Sequence, residues 1–267
     1  MNSIPSRAPV KTGIITGTGF YTLPGMSNVT SQEVDTPFGE VYVETGRLAD
    51  QEIVFIPRHG KQHSISPQGI NYRGNIYAMK MMGVGRVLAT SVSGSLIPAW
   101  GPGTLVLIDQ FINLTFNRID SFYPLDGKLA HVDVTDPYCP NLHAMLIDCA
   151  AKLQLNLQRG ATYACLNGPR FESRAEIEMV RRLGGDLVGQ TNYPECILAR
   201  ELAICYASVG VVSNYAAGMQ TTLTAKEVTE NIRKIGPIIS DLFATLIHSY
   251  PVHPDCSCQH ALDEAML

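Results

Sequence analysis

The chain has 267 residues, of which 45% are hydrophobic and 16% are charged, and its formal net charge is -4. This length allows one large domain, and the weak acidity with scattered Lys and Arg excludes the electrostatic pattern of nucleic-acid or acidic-membrane binding. No apolar run reaches the length of a membrane span, and residues 1–11 lack the apolar stretch of a signal peptide, so we expect a cytoplasmic protein.

Short apolar runs alternate with segments of helical periodicity along the chain. Strands are predicted at 12–16, 41–43, 53–57, 86–91, 104–108, 160–166, 186–189 and 207–213. Helices are predicted at 71–82, 140–155, 173–183, 194–203 and 224–250, the last with a kink at Gly236-Pro237. The alternation predicts an α/β fold, with a mixed, largely parallel central sheet flanked by helices. We expect a single domain at 12–250, between an N-terminal extension, 1–11, and a C-terminal tail, 251–267.

The segment from Gly168 to Glu176 lies between a predicted strand and a predicted helix. Ser173 with Glu176 three residues later forms a capping box, so the helix is expected to begin at Ser173. Phe171 and Glu172 therefore lie on a stiff loop at the edge where open α/β sheets bind ligands. An aromatic face beside a carboxylate is suited to a flat ring that carries an N–H group.

Four further polar loops follow predicted strands, and they are Gly17-Thr18-Gly19, Arg58 to His63, Thr90 to Ser95, and Gln190-Thr191-Asn192. Glycines let backbone N–H groups approach an anion, hydroxyls donate hydrogen bonds, and Arg58 offers a planar fork for phosphate oxygens. Each loop alone is also explained as a plain turn. Together they predict one oxyanion pocket. The first loop is neither a full G-x-G-x-x-G nor a Walker loop, and the third lacks a G-x-S-x-G elbow, which argues against dinucleotides, ATP and serine hydrolysis.

Neither the histidines nor the cysteines predict a metal site. His59 and His63 are four residues apart, but Gly60 and the preceding proline oppose the helix that such a pair needs. We expect five of the seven cysteines to be buried and reduced, because disulfides are rare in the cytoplasm, and they are Cys139, Cys149, Cys165, Cys196 and Cys205. Cys256-Ser257-Cys258 has the spacing of a reducible link or a soft-metal pair. Without a second such pair nearby, we expect these two thiols to stay reduced in a loose tail.

Several motifs resemble those of the nucleoside phosphorylases, specifically the trimeric branch that includes the methylthioadenosine phosphorylases. The similarity runs from about Gly13 to Tyr250. It is carried by Gly17-Thr18-Gly19, Thr36-Pro37-Phe38-Gly39, Arg58-His59-Gly60-Lys61-Gln62-His63, Asn71-Tyr72, Ile108-Asp109-Gln110-Phe111, Gly168-Pro169-Arg170-Phe171 and Cys205-Tyr206-Ala207-Ser208. The resemblance implies a nucleoside phosphorylase-like fold and a pentosyltransferase of purine salvage. In that reaction, inorganic phosphate is a co-substrate that attacks C1′ of a purine nucleoside, and no cofactor or metal is implied.

The resemblance also implies a role for each candidate residue. Phosphate contacts map onto Thr18, Arg58, His59, Ser91, Val92 (through its backbone) and Thr191. Base contacts map onto Phe171, Glu172 and Asn214, and ribose or 5′ contacts onto Gln190, His131, Ala225 and Val228. Asn214 and His59 are the catalytic candidates, and Asn214 supplies a donor to the leaving purine. His131 matches a histidine that reaches the substrate of a neighbouring subunit, which implies a homotrimer with shared sites.

Three positions depart from the methylthioadenosine phosphorylase pattern, which generally has Asp in place of Asn214 and Ser in place of Glu172. Asn214 can donate to a 6-oxo group or N7, and Glu172 can accept from N1–H of hypoxanthine or guanine, as in 6-oxopurine phosphorylases. Ala225 and Val228 replace the histidine that commonly binds a 5′-hydroxyl and leave a small apolar pocket suited to a methylthio group. Gln190 stands where the family usually has Met beside the ribose, and the sequence gives it no settled role.

We therefore expect phosphorolysis of 5′-methylthio-purine nucleosides, with a base site suited to methylthioinosine, to free base and 5-methylthioribose 1-phosphate. Methylthioadenosine as the main substrate and general inosine/guanosine phosphorolysis are the two alternative activities. A non-catalytic nucleoside-binding protein is a third alternative, for which Gln190 is the only hint. The retained residues Thr18, Arg58, His59 and Thr191 argue against it.

Overall fold

The computed structural model describes residues 11–62, 64–123, 129–250 and 256–266. The strands are β1 (Lys11–Thr16), β2 (Ser27–Thr36), β3 (Gly39–Leu48), β4 (Gln51–Pro57), β5 (Val84–Ser95), β6 (Leu105–Asn113), β7 (Leu157–Cys165), β8 (Leu187–Gly189) and β9 (Cys205–Tyr215). The helices are α1 (Tyr72–Met81), α2 (Pro140–Lys152), α3 (Arg174–Arg182), α4 (Glu195–Glu201) and α5 (Ala225–Ser249), and a short 3₁₀-helix spans Ser257–His260. Predictions for His63, most of the N-terminal extension and residues 251–255 and 267 lie outside the described residues.

The nine strands join one mixed sheet in the order β2-β3-β4-β1-β5-β8-β7-β6-β9. An additional pairing of β5 with β9 closes five of these strands, β5, β8, β7, β6 and β9, into a ring. Five of the nine pairings are parallel and four are antiparallel. The predicted α/β domain with a mixed sheet and flanking helices is confirmed, and the closure of the ring is a feature that the sequence did not predict.

Helices cover both faces of the sheet because its central strands are apolar on both sides. The strand β9 is buried over ten of its eleven residues, since it pairs with both β5 and β6. Helices α2 and α5 pack against one face in the first hydrophobic cluster, and α1 and α4 pack against the other face in the second. Within the described ranges, no helix combines the length and apolarity that a membrane span requires.

The structure corrects the predicted secondary structure where strands contain many polar residues. Strand β2 was missed because eight of its ten residues are exposed, so it carries no apolar signal. Residues 92–95 were predicted as a loop after a strand that ends at residue 91, but they continue β5 to Ser95, where small hydroxyl side chains are buried against β9. Asn214 was predicted to follow a strand that ends at residue 213, yet it lies inside β9.

One prediction about the C-terminal region also changes. Helix α5 runs from Ala225 to Ser249, close to the predicted bounds, and includes Pro237 in its interior, where the kink stays a prediction. Residues 256–266 do not form a loose tail, because Cys256 and Cys258 are 6% and 2% exposed and belong to the first hydrophobic cluster. All seven cysteines are buried, which confirms the prediction for the five outside this segment and corrects it for Cys256 and Cys258.

The loop before α3 is held as the sequence predicts. The Ser173 hydroxyl accepts a hydrogen bond from the Glu176 N–H at 3.2 Å, and the Glu176 carboxylate accepts one from the Ser173 N–H at 2.7 Å. Arg170 adds two hydrogen bonds to the same carboxylate. These contacts complete a capping box and fix the backbone on both sides of Phe171 and Glu172.

Candidate active site

A cavity of about 290 Å³ lies at the carboxyl ends of five strands, β1, β4, β5, β8 and β9. Its volume is near the lower limit for small-molecule sites. The candidate residues that line it are Thr18, His59, Val92, Phe171, Glu172, Gln190, Thr191, Asn214, Ala225 and Val228. Three candidates, Arg58, Ser91 and His131, are not among its lining residues. The sheet therefore brings most of the predicted residues to one edge, as α/β topology requires.

One end of the cavity is suited to an oxyanion. Thr18 and Thr191 offer hydroxyl donors there, and the His59 ring lies beside Gly17. His59 Nδ1 is 2.8 Å from the Ile65 carbonyl oxygen. A carbonyl can only accept a hydrogen bond, so Nδ1 carries a proton and the Nε2 edge is directed toward the Gly17 loop. In the neutral ring, Nε2 is then a hydrogen-bond acceptor.

Arg58 lies behind this end in a buried ion pair. Its Nε and Nη2 atoms each donate to the Glu195 carboxylate at 2.7 Å, and Nη1 donates to the Thr90 carbonyl at 3.1 Å. The Tyr206 hydroxyl donates to the same carboxylate at 2.7 Å. Both ionic side chains are fully buried. Burial alone would lower the pKa of Arg58, but the Glu195 charge and hydrogen bonds outweigh it and raise the pKa, so Arg58 stays charged.

The ion pair lies beneath the residues that line the cavity and supports them. A Cβ atom on Gly17 would lie 3.0 Å from Arg58 Nη1, so the loop after β1 rests directly on the guanidinium and requires glycine there. Sequence reasoning missed Glu195, which is 137 residues from Arg58 along the chain. Its place in the first turn of α4 resembles that of an ordinary surface carboxylate, so only the fold reveals its role.

Ser91 also supports the cavity from outside its lining. Its hydroxyl is 2.9 Å from the Ser208 hydroxyl and accepts a hydrogen bond from the Asn192 side chain at 3.1 Å. The next residue, Val92, does line the cavity.

His131 lies in a different part of the chain's surface. It borders a second cavity, of about 470 Å³, together with Arg200 and residues of the C-terminal segment 257–265. Its backbone N–H donates to the Ala265 carbonyl at 2.8 Å. Within one chain, the structure does not bring His131 to the first cavity, so a contribution to a neighbouring subunit's site stays a prediction.

The other end of the first cavity combines a carboxylate, an amide and an aromatic ring. The Phe171 ring is 40% exposed beside Glu172. Burial raises the pKa of Glu172 above its ordinary value, with a smaller opposing effect from hydrogen bonds to its own backbone and to Gln190. Glu172 is thus a half-buried acceptor that takes up a proton more readily than a solvated carboxylate.

Asn214 is oriented as a donor at this end. Its Oδ1 accepts from the Ser213 hydroxyl at 2.6 Å, and its Nδ2 donates one N–H to the Tyr215 carbonyl at 2.8 Å. Because Asn214 lines the cavity, the second N–H on Nδ2 is the group that it can offer to a ligand. Gly94 lies close to this amide, since a Cβ there would approach Nδ2 to 3.1 Å.

Gln190 directly follows β8, and its side chain connects the end of this strand with the loop that carries Glu172. Its Nε2 donates to the Arg170 carbonyl at 3.1 Å, and its side chain packs against Gly168, which has a φ of +68°. The Arg118 guanidinium holds the Gln190 backbone by donating to its carbonyl at 2.8 Å. Gln190 therefore lines the cavity and also positions the loop, a role that the sequence did not assign.

The remaining wall is formed by the first turn of α5. Ala225, Val228 and Thr229 line it, and the Thr229 hydroxyl donates to the Ala225 carbonyl at 2.9 Å. That hydrogen bond directs the hydroxyl proton back to the helix, and Ala225 and Val228 present apolar side chains beside it. Among the described residues of this turn that line the cavity, none is a histidine.

We expect Glu195→Gln to lower the free energy of unfolding by about 3 kcal/mol, because it leaves the buried Arg58 cation without its counter-charge. Urea unfolding measures this change. Glu178→Gln is the matched control, since Glu178 pairs with Arg181 and Arg182 at exposed positions, and we expect little change there. A loss below about 1 kcal/mol in Glu195→Gln would show that the pair does not support the site.

Comparison with known proteins agrees with this geometry. A model described as the phosphorylase superfamily matches residues 11–248. The 6-oxopurine nucleoside phosphorylase of Pyrococcus furiosus is 46% identical over 259 residues, covering 94% of this chain and 97% of that protein. A probable S-methyl-5′-thioinosine phosphorylase of Methanopyrus kandleri is 44% identical over 255 residues, covering 95% and 98%. The solved methylthioadenosine phosphorylase of Schistosoma mansoni, in complex with adenine, superposes with a TM-score of 0.90 at 29% identity, covering 95% and 96%.

Proposed function

The chain belongs to the phosphorylase superfamily, and from this premise we propose that it cleaves 5′-methylthio-6-oxopurine nucleosides with inorganic phosphate. The broader activity, phosphorolysis of purine nucleosides by a pentosyltransferase, is that of the named relatives that cover nearly the whole chain. The proposal adds which base and which 5′ group the site prefers. Methylthioinosine is the substrate that combines both preferences.

The observation that carries the proposal is the placement of Glu172 and Asn214 in one cavity with Ala225 and Val228. An ionised Glu172 accepts the N1–H of a 6-oxopurine, and Asn214 donates to O6 or N7. A 6-aminopurine has no proton on N1 and presents a donor at position 6, so Glu172 would lose its donor and Asn214 would lose any contact with O6. A buried mismatch of this kind discriminates strongly between substrates.

The cavity's residues support a mechanism without a nucleophilic side chain. A phosphate oxygen attacks C1′ from the end with Thr18, His59 and Thr191, and the C1′–N9 bond breaks with its electron pair passing to the purine. Phosphate negative charge stabilises the oxocarbenium character that develops on the sugar. Asn214 stabilises the negative charge that develops on the base, and a proton from solvent or phosphate completes the free purine.

The first turn of α5 favours a 5′-methylthio group over a 5′-hydroxyl. The wall at Ala225 and Val228 is largely apolar, and a buried hydroxyl without a partner costs about 1–3 kcal/mol. A thioether needs no hydrogen bond and gains from the apolar contact. Inosine would lose this apolar contact.

The assembly, the compartment and the absence of a cofactor are part of the proposal. We infer a homotrimer in which His131 approaches a neighbouring site. Within one chain, His131 borders the second cavity and not the first, so it could reach a first cavity only in another subunit. A cytoplasmic role in purine salvage follows from the substrate class. Phosphate is the co-substrate, and the groups that line the cavity supply the hydrogen-bond donors and acceptors that the reaction needs.

A substrate comparison tests the proposal. Initial rates with phosphate are measured for methylthioinosine, methylthioadenosine, inosine and guanosine, and the free base is quantified. We expect the highest kcat/KM for methylthioinosine. Preference for methylthioadenosine would overturn the assignment of the base site, preference for inosine would overturn the 5′ assignment, and release of no base from any nucleoside would overturn catalysis itself.

Asn214→Asp should shift the kcat/KM ratio from 6-oxo toward 6-amino nucleosides by at least about tenfold, or about 1.4 kcal/mol. The new carboxylate accepts from a 6-amino group and repels a 6-oxo group. Asn156→Asp introduces the same charge at an exposed position and serves as the control. Unchanged selectivity in Asn214→Asp would show that this residue does not contact the base edge.

The preference for 6-oxo over 6-amino nucleosides should decline as the pH falls. Protonation of Glu172 removes the acceptor for N1–H and creates a donor for the bare N1 of a 6-aminopurine. Because burial raises the pKa of Glu172 above 4.5, the decline begins at a higher pH than for a solvated glutamate. The ratio of the two kcat/KM values is measured against pH, which cancels the titration of phosphate. A Glu172→Gln variant should give a flat ratio, and a flat wild-type ratio would contradict the assignment.

Val228→Thr should lower the preference for methylthioinosine over inosine by about tenfold, because it replaces a methyl group with a hydroxyl of the same shape. The new hydroxyl can pair with a 5′-hydroxyl and disfavours the thioether. Val228→Ala removes volume without adding a polar group and is the control. An equal change in both variants would show that size, and not polarity, governs this wall.

A further inference from the structure

Four cysteine side chains meet at the C-terminal segment of the chain. The Sγ atoms of Cys139, Cys205, Cys256 and Cys258 all lie within 4.8 Å of one another, and all four residues are buried. Cys139 caps the N-terminus of α2, Cys205 begins β9, and the other two flank Ser257. These four residues are called the four-cysteine cluster below. The sequence shows only the pair around Ser257 as a motif, and the fold supplies the two partners that this pair lacked.

The geometry of the four-cysteine cluster is close to that of a tetrathiolate metal site. Four sulfur atoms about 2.3 Å from a central Zn²⁺ lie about 3.8 Å apart at the corners of a tetrahedron. The Cys139 and Cys256 sulfurs are 3.4 Å apart, and every sulfur has three others within 4.8 Å. Two disulfides would need only one close partner for each sulfur. The mutual proximity of all four thiols is the arrangement that one tetrahedral ion requires.

Positively polarised groups surround the four-cysteine cluster. The Leu142 N–H at the start of α2 donates to the Cys139 sulfur at 3.5 Å, where the helix N-terminus favours negative charge. An Arg200 Nη1 donates to the Cys258 sulfur at 3.8 Å. Thiolates benefit from these donors, whereas disulfide sulfurs carry no charge for them to stabilise. The donors are therefore a second, independent observation in favour of thiolate ligands.

We propose that the four-cysteine cluster binds one Zn²⁺ ion as a closed, structural site. Binding forms four Zn–S bonds, releases the four thiol protons to solvent and leaves a complex of net charge -2. The Arg200 guanidinium and the α2 N-terminus balance part of this charge. A full set of four protein ligands leaves no open position for substrate, and no cluster residue lines the active-site cavity.

The ion would fasten the C-terminal segment to the core. Two ligands lie in this segment, one caps α2 and one begins β9, so the bonds join three elements. The same segment pairs with the chain near His131, through the Ala130–Met266 bridge and the His131 N–H to the Ala265 carbonyl. Fixing the segment therefore also fixes the backbone that carries His131. This inference does not depend on the substrate that the active site prefers.

Zinc content and thiol count of the full chain test the proposal. The untagged protein is purified under a reductant without chelator, and metals are quantified by mass spectrometry of the digested sample. We expect about one zinc per chain, and seven titratable thiols after denaturation with a chelator. Metal-free protein with seven thiols after incubation with Zn²⁺, a mass lower by four hydrogens from two disulfides, or stoichiometric iron would each overturn the zinc assignment.

Two separate ligand variants and one control ensure that a folding defect in a single variant does not decide the result. Cys258→Ser and, separately, Cys256→Ser should lose the zinc, while Cys149→Ser should keep it, because Cys149 is buried on the same helix as Cys139 but lies outside the cluster. In the wild type, a chelator should lower the thermal unfolding temperature and added Zn²⁺ should restore it. If neither the chelator nor added Zn²⁺ changes the unfolding temperature of the wild type, the structural role is overturned.

Discussion

The buried ion pair between Arg58 and Glu195 is the interaction on which the active-site edge depends. It joins the end of β4 to the start of α4, and a third contact reaches the Thr90 carbonyl in β5. The loop at Gly17 rests on the same guanidinium. Removing such a charge from water is expensive unless the partner's geometry is excellent, so the two-pronged pairing fixes these elements in one arrangement. The oxyanion end of the cavity is preorganised by this contact before any ligand arrives.

Hydrogen bonds also fix the side chains at the other end of the cavity, where Glu172 and Asn214 lie. The Ser213 hydroxyl donates to Oδ1 of Asn214, Nδ2 donates one N–H to the Tyr215 carbonyl, and the second N–H of Nδ2 is left for a ligand. Gln190 and the capping box at Ser173 hold the loop that carries Glu172. One donor and one acceptor are thus held at fixed positions in a partly buried site, where a mismatch costs more than in water. Specificity in this account arises from hydrogen bonds that the wrong base would leave unmade.

The sequence predicted those features that arise from local patterns. Alternating apolar runs gave most strands and helices, and the Ser173–Glu176 spacing gave the capping box that the structure contains. Features built from distant residues were missed, because no local pattern encodes them. Glu195 lies 137 residues from Arg58, and Cys256 lies 117 residues from Cys139. Polar residues in β2 and in the second half of β5 hid strands whose pairing partners, rather than their own composition, define them.

The central claim is that Glu172 and Asn214 together recognise a 6-oxopurine. A crystal structure with hypoxanthine and phosphate bound tests it most directly. The account predicts a Glu172 oxygen within hydrogen-bonding distance of N1, the Asn214 Nδ2 within the same distance of N7 or O6, and phosphate between Thr18, His59 and Thr191. A purine whose N1 faces solvent, or a Glu172 carboxylate turned away from the base, would contradict it.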